Sequence, residues 1–374
     1  MTILQENISL KKTPLYGRHV TLGGKMVNFS GWALPVYYSG IIAEHRWVRQ
    51  SCGVFDVSHL GEIRVKGPGA SPFLQHRLTN DMARLQNGRI LYSLLCDERG
   101  FTLDDILIYQ ARPDDFYLVV NAANAEADWE ELAKYAPDSV TLVNDSDRMA
   151  CIAVQGPKSE EALETLFGFE LKSLAYYSFK EESFTGGAVW ISRSGYTGED
   201  GFEIFSDHSL SLAVWDKLAD AGQKKGILPA GLGARNTLRL EAGNALYGND
   251  LDRRTTPLEA GLEWAVALGK GRFVGRDALV RQKEAGLARR LVGFKVLDRA
   301  VAREHYPIFK ENKRVGTVTS GSYGPTVDCN IGLGYVEKGH DQPGHLIEIE
   351  IHGHRVTAEI VRLPFVEPRH KRKA

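Results

Sequence analysis

Two adjacent carboxylates, Asp104 and Asp105, lie in the otherwise apolar run Phe101-Thr-Leu-Asp-Asp-Ile-Leu-Ile-Tyr109. An acid in such company must be solvated, paired or committed to a ligand, because burying a bare charge is costly. Strand alternation puts Leu103, Asp105, Leu107 and Tyr109 on one face and Asp104, Ile106 and Ile108 on the other. Each face therefore carries one acid, and spacing alone does not choose which of them turns toward a ligand. A second constellation, Ser194-Gly-Tyr-Thr-Gly-Glu-Asp-Gly-Phe-Glu203, sets Tyr196 and Glu203 at the two ends of a glycine loop. Such a pair suits a flat heterocycle: the aromatic face packs on the ring while the carboxylate accepts two parallel N–H bonds from an amidine-like edge. A decorated hairpin turn is the plainer reading of the same residues.

Arg235 and Arg239 stand four apart on one face of a helix in Gly231-Leu-Gly-Ala-Arg-Asn-Thr-Leu-Arg-Leu-Glu241. Each can bind an oxyanion or pair with an acid such as Glu241. The segment lacks the third glycine and the preceding strand of a dinucleotide fingerprint. His352 and His354 are expected to share a strand face, but without a nearby acid or cysteine they make a poor metal signature, and no metal is expected. There is no phosphate-binding loop around Gly269-Lys-Gly271 and no Gly-x-Ser-x-Gly elbow, while Cys96 reads as a buried strand residue. Covalent catalysis has no good candidate.

The elements that must position these residues are mixed. Gly40 to Gly53 reads as a helix, Val54 to Val65 as an extended segment and Ser71 to Leu78 as a short helix. Arg89–Cys96 and Phe101–Tyr109 form a hairpin around Asp97-Glu-Arg-Gly100. A strand from Phe116 to Val120 leads through Asn121-Ala-Ala-Asn124, whose asparagines offer capping oxygens, into a polar helix. A further strand and helix follow around Ala150 and Glu160. Val189–Ser194 and Phe202–Phe205 make a second hairpin whose glycines allow unusual backbone angles and close approach to a ligand. Leu210–Lys225 is an amphipathic helix stopped by Gly226, and Gly233–Ala242 is helical. Past residue 288, short strands including Arg290–Val296, Arg314–Thr319 and Leu346–Ile351 predict a small β-barrel.

A length of 374 residues, 43% hydrophobic and 25% charged, predicts a globular chain of two or three domains, and three are expected, with a ligand at a junction. A net charge of -1 supplies no global field toward nucleic acid or an anionic membrane, so neither is an expected partner. The tail Arg369, His370, Lys371, Arg372 and Lys373 is either solvated or a local attractor for the carboxylates of a small acid or an acidic protein. Four scattered cysteines, Cys52, Cys96, Cys151 and Cys329, read as reduced. Met1 to Lys12 lacks the character of a signal or transit peptide, and no run approaches a membrane span of roughly 20 apolar residues, which together predict a cytoplasmic protein.

Read together, Phe55-Asp-Val-Ser-His-Leu-Gly-Glu62, Thr79-Asn-Asp81, Asp104-Asp105, Val154-Gln-Gly-Pro157, Ser194 to Glu203 and Gly231-Leu-Gly-Ala-Arg235 resemble the glycine cleavage T-protein (aminomethyltransferase) family. The likeness continues through Leu246-Tyr-Gly248, Thr256-Pro-Leu-Glu-Ala-Gly261 and Val315-Gly-Thr-Val-Thr-Ser-Gly321, and so covers nearly the whole chain. It implies an α+β, three-domain, cloverleaf-like folate-binding fold with a carboxy-terminal β-barrel, divided as two intertwined α+β domains over residues 1–287 and a barrel over 288–374. It also implies an enzyme of glycine catabolism and one-carbon metabolism. Such an enzyme moves the methylene carbon of an aminomethyl group, carried on the lipoyl sulfur of a lipoylated H-protein, to tetrahydrofolate as acceptor substrate, releasing ammonia and dihydrolipoyl H-protein.

Carried over residue by residue, the resemblance makes Asp105 the key catalytic acid and Asn121, Tyr196, Glu203 and Arg235 folate-binding positions. Arg369 matches the aromatic-basic family ending as a ligand for the folate tail. Three positions depart from the pattern: Leu60 stands where Met is usual, Phe101 where a second glycine is usual, and Asn236 where an acid commonly follows the binding arginine. Leu for Met keeps volume, whereas Asn236 removes a charge expected to orient Arg235. The folate domains of dimethylglycine or sarcosine dehydrogenases carry the same motifs beneath a flavin domain that this chain is too short to contain. A non-catalytic folate-binding accessory protein of iron–sulfur assembly has the same fold, but its Lys-Gly-Cys-Tyr-x-Gly-Gln-Glu motif is absent. That accessory protein is the alternative of a different class; a pure interaction module is a further reading, since fold alone does not prove catalysis, but the paired acids and the glycine loop argue against it.

Overall fold

The computed structural model describes residues 10–371, and of 223–225 the backbone alone. The targeting reading of residues 1–9 and the tail residues Arg372 and Lys373 lie outside the described residues. Eleven strands form one sheet. Along it lie Ile227–Pro229, Cys52–Asp56, Met149–Gln155, Gly201–Asp207, Gly187–Arg193, Ser178–Phe184, Arg89–Cys96, Thr102–Arg112, Asp115–Val120, Gly61–Lys66 and Thr141–Asn144. All neighbours are antiparallel except Ile227–Pro229, which runs parallel to Cys52–Asp56.

The sheet has a seam. Ser178–Phe184 and Arg89–Cys96 share a single residue pair, Ser178 opposite Arg89. The bonds Phe179 N–H to Gly88 O (2.8 Å) and Ile90 N–H to Tyr177 O (2.9 Å) flank it. Each side of the seam has its own core. One gathers Val54, Val154, Ile191 and Phe202 under the helices Ser159–Phe167 and His208–Lys225. The other gathers Ile63, Leu74, Ile108 and Leu118 under Ala70–Arg77 and Ala125–Tyr135. The chain crosses between the halves early: Cys52–Asp56 belongs to the first and Gly61–Lys66 to the second. A third cluster, with Phe55, Tyr109, Phe179 and Leu238, joins the two.

Beyond the helix Arg276–Ala285, the strands Arg289–Val296, Pro307–Lys310, Lys313–Gly324, Cys329–Glu337, Leu346–Ile351 and His354–Val361 close into the expected barrel around Phe294, Val318 and Ile349. Among the described residues no helix is long and apolar enough to cross a membrane. Cys52, Cys96, Cys151 and Cys329 are unbridged.

Four local expectations need correction. The helix expected to reach Gly53 spans Ile41–Gln50, and Cys52–Asp56 is already a buried strand. A Cβ at Gly53 would come 2.4 Å from Val48 Cγ2, so the glycine marks a close crossing rather than a helix stop. The extended run to Val65 is two strands broken at 57–60. Asn124 does not cap its helix, because its amide is spent on Asp104 Oδ1 (2.7 Å) and Leu103 O (3.3 Å). His352 and His354 do not share a strand: His352 sits in the turn at φ 50° and His354 opens the next strand.

Candidate functional site

A cavity of about 490 Å³ opens where both halves of the sheet meet the helix Leu232–Glu241, the barrel and the carboxy-terminal tail. Asp105, Asn121, Tyr196, Glu203 and Arg235 all line it, with Leu291 from the barrel and Leu363 and His370 from the tail. Leu60, the residue standing in place of methionine, lies on the same wall.

The first hairpin aims Asp105. Its turn is tied by Asp97 Oδ1, which accepts from Arg99 N–H and Phe101 N–H (both 2.9 Å). That closure sets the register with Leu94 opposite Asp105 and Leu95 opposite Asp104. Both carboxylate oxygens of Asp105 are held: Oδ2 accepts from the Tyr92 hydroxyl (3.0 Å) and Oδ1 from Asn121 Nδ2 (3.0 Å). Burial, reinforced by the neighbouring charge of Asp104, pushes the Asp105 carboxyl up to about 7. An acid so poised exchanges a proton near neutrality. Asp104 points the other way into the protein and is fully buried.

The glycine hairpin sets Glu203. Ser194 Oγ donates to Glu203 Oε2 and is linked to Ser192 Oγ (2.7 Å), which reaches Tyr109 (3.4 Å). Burial raises the Glu203 carboxyl, with Ser194 and Arg235 opposing the rise. The loop glycines answer first to Gln155 of the Val154-Gln-Gly-Pro157 motif rather than to a ligand. A Cβ at Gly195 would fall 2.0 Å from Gln155 Oε1, and Thr197 Oγ1 donates to that same oxygen at 2.9 Å. Gly198, at φ +77°, completes the bend. Tyr196 is anchored by its hydroxyl on Ala245 O, and its ring carries the Arg235 guanidinium at 4.9 Å.

Sequence spacing left Arg235 and Arg239 equivalent, and the fold separates them. Arg239 pairs with Asp250 (2.6 Å), not with Glu241, and reaches Ser320 of the barrel (2.9 Å). Asn236 accepts from Arg239 Nε (2.9 Å), so the position expected to orient Arg235 serves its neighbour. Among the described residues no carboxylate lies within 4 Å of the Arg235 guanidinium, which stays open to the cavity, and burial lowers its proton affinity. Arg369 lies outside the cavity wall: its backbone N–H donates to Gly198 O (2.8 Å) and its mostly exposed side chain leans toward Glu199 (3.6 Å). His370, stacked on Tyr176 at 4.2 Å, lines the wall beside Leu363.

Among the wall residues not singled out from sequence are two stacked aromatics. Tyr92 shares the hairpin face of Asp105 and was available from the register; Trp264, 61% exposed and stacked on Tyr92 at 5.1 Å, comes from the single 3-10 turn Glu263–Ala265, too short for a spacing signal. Among the described residues no group of three or more His, Cys, Asp or Glu is arranged to hold a metal ion.

An interrupted two-core sheet with a closing barrel frames a cavity that holds one buried and one half-buried carboxylate and an arginine without a carboxylate partner, a set of donors and acceptors suited to a polar planar ligand. The GCVT N-terminal domain matches residues 15–270, and the glycine cleavage T-protein C-terminal barrel domain matches residues 289–367. The aminomethyltransferase of Halothermothrix orenii is 46% identical over 357 residues, covering 96% of this chain and 100% of that one. That of Natranaerobius thermophilus is 47% identical over 357 residues, covering 95% and 98%. The crystal structure of glycine cleavage system aminomethyltransferase T from Bartonella henselae superposes with a TM-score of 0.91 at 37% identity, covering 96% of this chain and 99% of that one. The chain belongs to the glycine cleavage T-protein family of aminomethyltransferases.

Proposed function

We propose that the cavity takes tetrahydrofolate as acceptor substrate and that the chain transfers to it the methylene carbon of an aminomethyl group borne on the lipoyl sulfur of H-protein. The carbon exchanges its bonds to donor sulfur and nitrogen for two bonds to folate nitrogens, so ammonia leaves and the sulfur remains as dihydrolipoyl. Glu203, held from behind by Ser194, accepts the paired N–H groups of the pterin edge. Arg235, stacked on Tyr196, offers its guanidinium to a carbonyl or carboxylate oxygen. Asn121 and Tyr92 hold Asp105 where it orients the attacking ring nitrogen and stabilises the positive charge that develops there. Arg369, next in sequence to the wall residue His370, is assigned the folate glutamate, met from outside the cavity proper.

The observation that carries this reading is that Asp105 and Glu203 open onto one cavity with an arginine that lacks a carboxylate partner. The test supplies purified protein with aminomethylated H-protein and tetrahydrofolate and follows methylenetetrahydrofolate and ammonia. Both products are expected, and Asp105→Asn should lower turnover by roughly 10²–10³-fold, the scale for removing one preorganised electrostatic group. Unchanged turnover removes Asp105 from the mechanism; folate binding without either product favours the accessory-protein reading.

A further inference from the structure

Behind Asp105 stands a set of polar groups that the transfer reaction does not touch. Asp104, on the opposite face of the strand, is 0% exposed and collects donors from three directions. Its Oδ2 accepts from Asn121 N–H (2.9 Å), and its Oδ1 from Asn121 Nδ2 (2.8 Å) and Asn124 Nδ2 (2.7 Å). From the helix Ala125–Tyr135, the buried Asp128 carboxyl stands close enough to feel its charge. Asn121 Nδ2 is shared: the same amide group reaches Asp104 Oδ1, Asp105 O (3.1 Å) and Asp105 Oδ1 (3.0 Å).

That sharing fixes the amide. Turned by half a rotation, Asn121 would present its carbonyl oxygen to two carboxylates and a backbone carbonyl, acceptor against acceptor; only the orientation with Nδ2 forward satisfies them. We propose that Asp104 is a positioning residue for the transfer: it locks the Asn121 amide that holds Asp105 Oδ1. The inference rests on Asp105 serving the transfer.

The remaining groups facing the pair fit this role. Burial and the charge of Asp104 push Asp128 up to about 10, so it stands neutral beside Asp104 at physiological pH. Arg253 opposes that rise from the loop beside the helix. Tyr247, from the cavity loop, feels Asp104; Tyr92, Tyr177 and Tyr196 feel Asp105. All four tyrosines are held neutral by burial; burial raises the Asp104 carboxyl as well, with its contacts to Asn121 and Asn124 opposing the rise, and the charge it carries raises Asp105 in turn.

The experiment compares wild type with Asp104→Asn and Asn124→Ala in the complete reaction, with aminomethylated H-protein and tetrahydrofolate, across pH 5.5 to 9. In Asp104→Asn, one edge of the new amide confronts a donor of Asn121, and the charge beside Asp105 is gone. Its kcat should fall about 10-fold or more, and the acid limb of the kcat profile should move down by about one pH unit, because Asp105 then ionises more readily. The KM for tetrahydrofolate should stay within about threefold. An unchanged kcat, or a lowered kcat with the limb unmoved, overturns the proposal. Should Asp104→Asn fail to accumulate as folded protein, Asn124→Ala decides, since Asn124 does not line the cavity. A severalfold lower kcat with an unaltered folate KM supports the role, and a wild-type kcat overturns it. Wild-type turnover in Asp105→Asn is a separate result, which sinks the functional reading itself.

Discussion

Replacing Asp105 with Asn should make the folded protein more resistant to unfolding above neutral pH while it disables the enzyme. In the native state the carboxyl is pushed from 3.8 up to about 7. The native state therefore keeps a proton that the unfolded chain has released, and stability is lost as pH rises through this window. Three pH units at about 1.36 kcal/mol each put the loss on the order of 4 kcal/mol by pH 8. Asparagine escapes it without a new orphan: its oxygen can accept from Asn121, and its Nδ2 can donate to the Tyr92 hydroxyl, which turns to accept. At roughly 2 °C per kcal/mol for a large domain, the variant should melt about 5 °C or more above wild type at pH 8. Near pH 4 the two should nearly coincide. Scanning calorimetry from pH 4 to 8.5 reads the gap directly. A gap that stays flat across the range would refute the idea that Asp105 is buried at a cost, and with it the electrostatic account of its role.

Tyr92→Phe removes a donor to the ionised form of Asp105 and so should move the acid limb of kcat upward, opposite in sign to Asp104→Asn; a pH profile taken with saturating substrates checks it. Arg239→Met leaves Asp250 buried without its cation and severs the contact to Ser320, so it should destabilise the chain by about 3–5 kcal/mol in urea unfolding. If the midpoint does not move, the arginine is not the tie between helix and barrel.

Much of this was legible because the informative residues lie on regular elements. The turn at Asp97–Gly100 and strict alternation placed one acid on each face, and Gly226 ended its helix in the left-handed conformation expected of it (φ 72°). The helix end before Gly53, the break at 57–60 and the turn at His352 are shifts of boundary; where a polar side chain departs from its reading, the cause is tertiary demand on it. Asn124 has a capping composition, but a buried carboxylate outcompetes its own helix for the amide. Arg235 and Arg239 have the same helical phase, and only Asp250, eleven residues further along, decides that one is structural and leaves the other for the cavity. The tail offered Arg369 by charge, while the backbone bond to Gly198 O brings His370 to the wall instead.

The seam through the sheet governs traffic. Because the two cores hang from one hydrogen-bonded lattice, their halves cannot part like jaws; any opening would have to tear the bonds around Ser178 and Arg89. The floor of the cavity is therefore a fixed bench, and reactants come and go past its edges: the loops carrying Ala245 and Trp264, and the tail that ends on His370. On the proposed function two large reactants, one of them tethered to a protein, share those doorways, so their access is set by the loops and the tail rather than by the sheet.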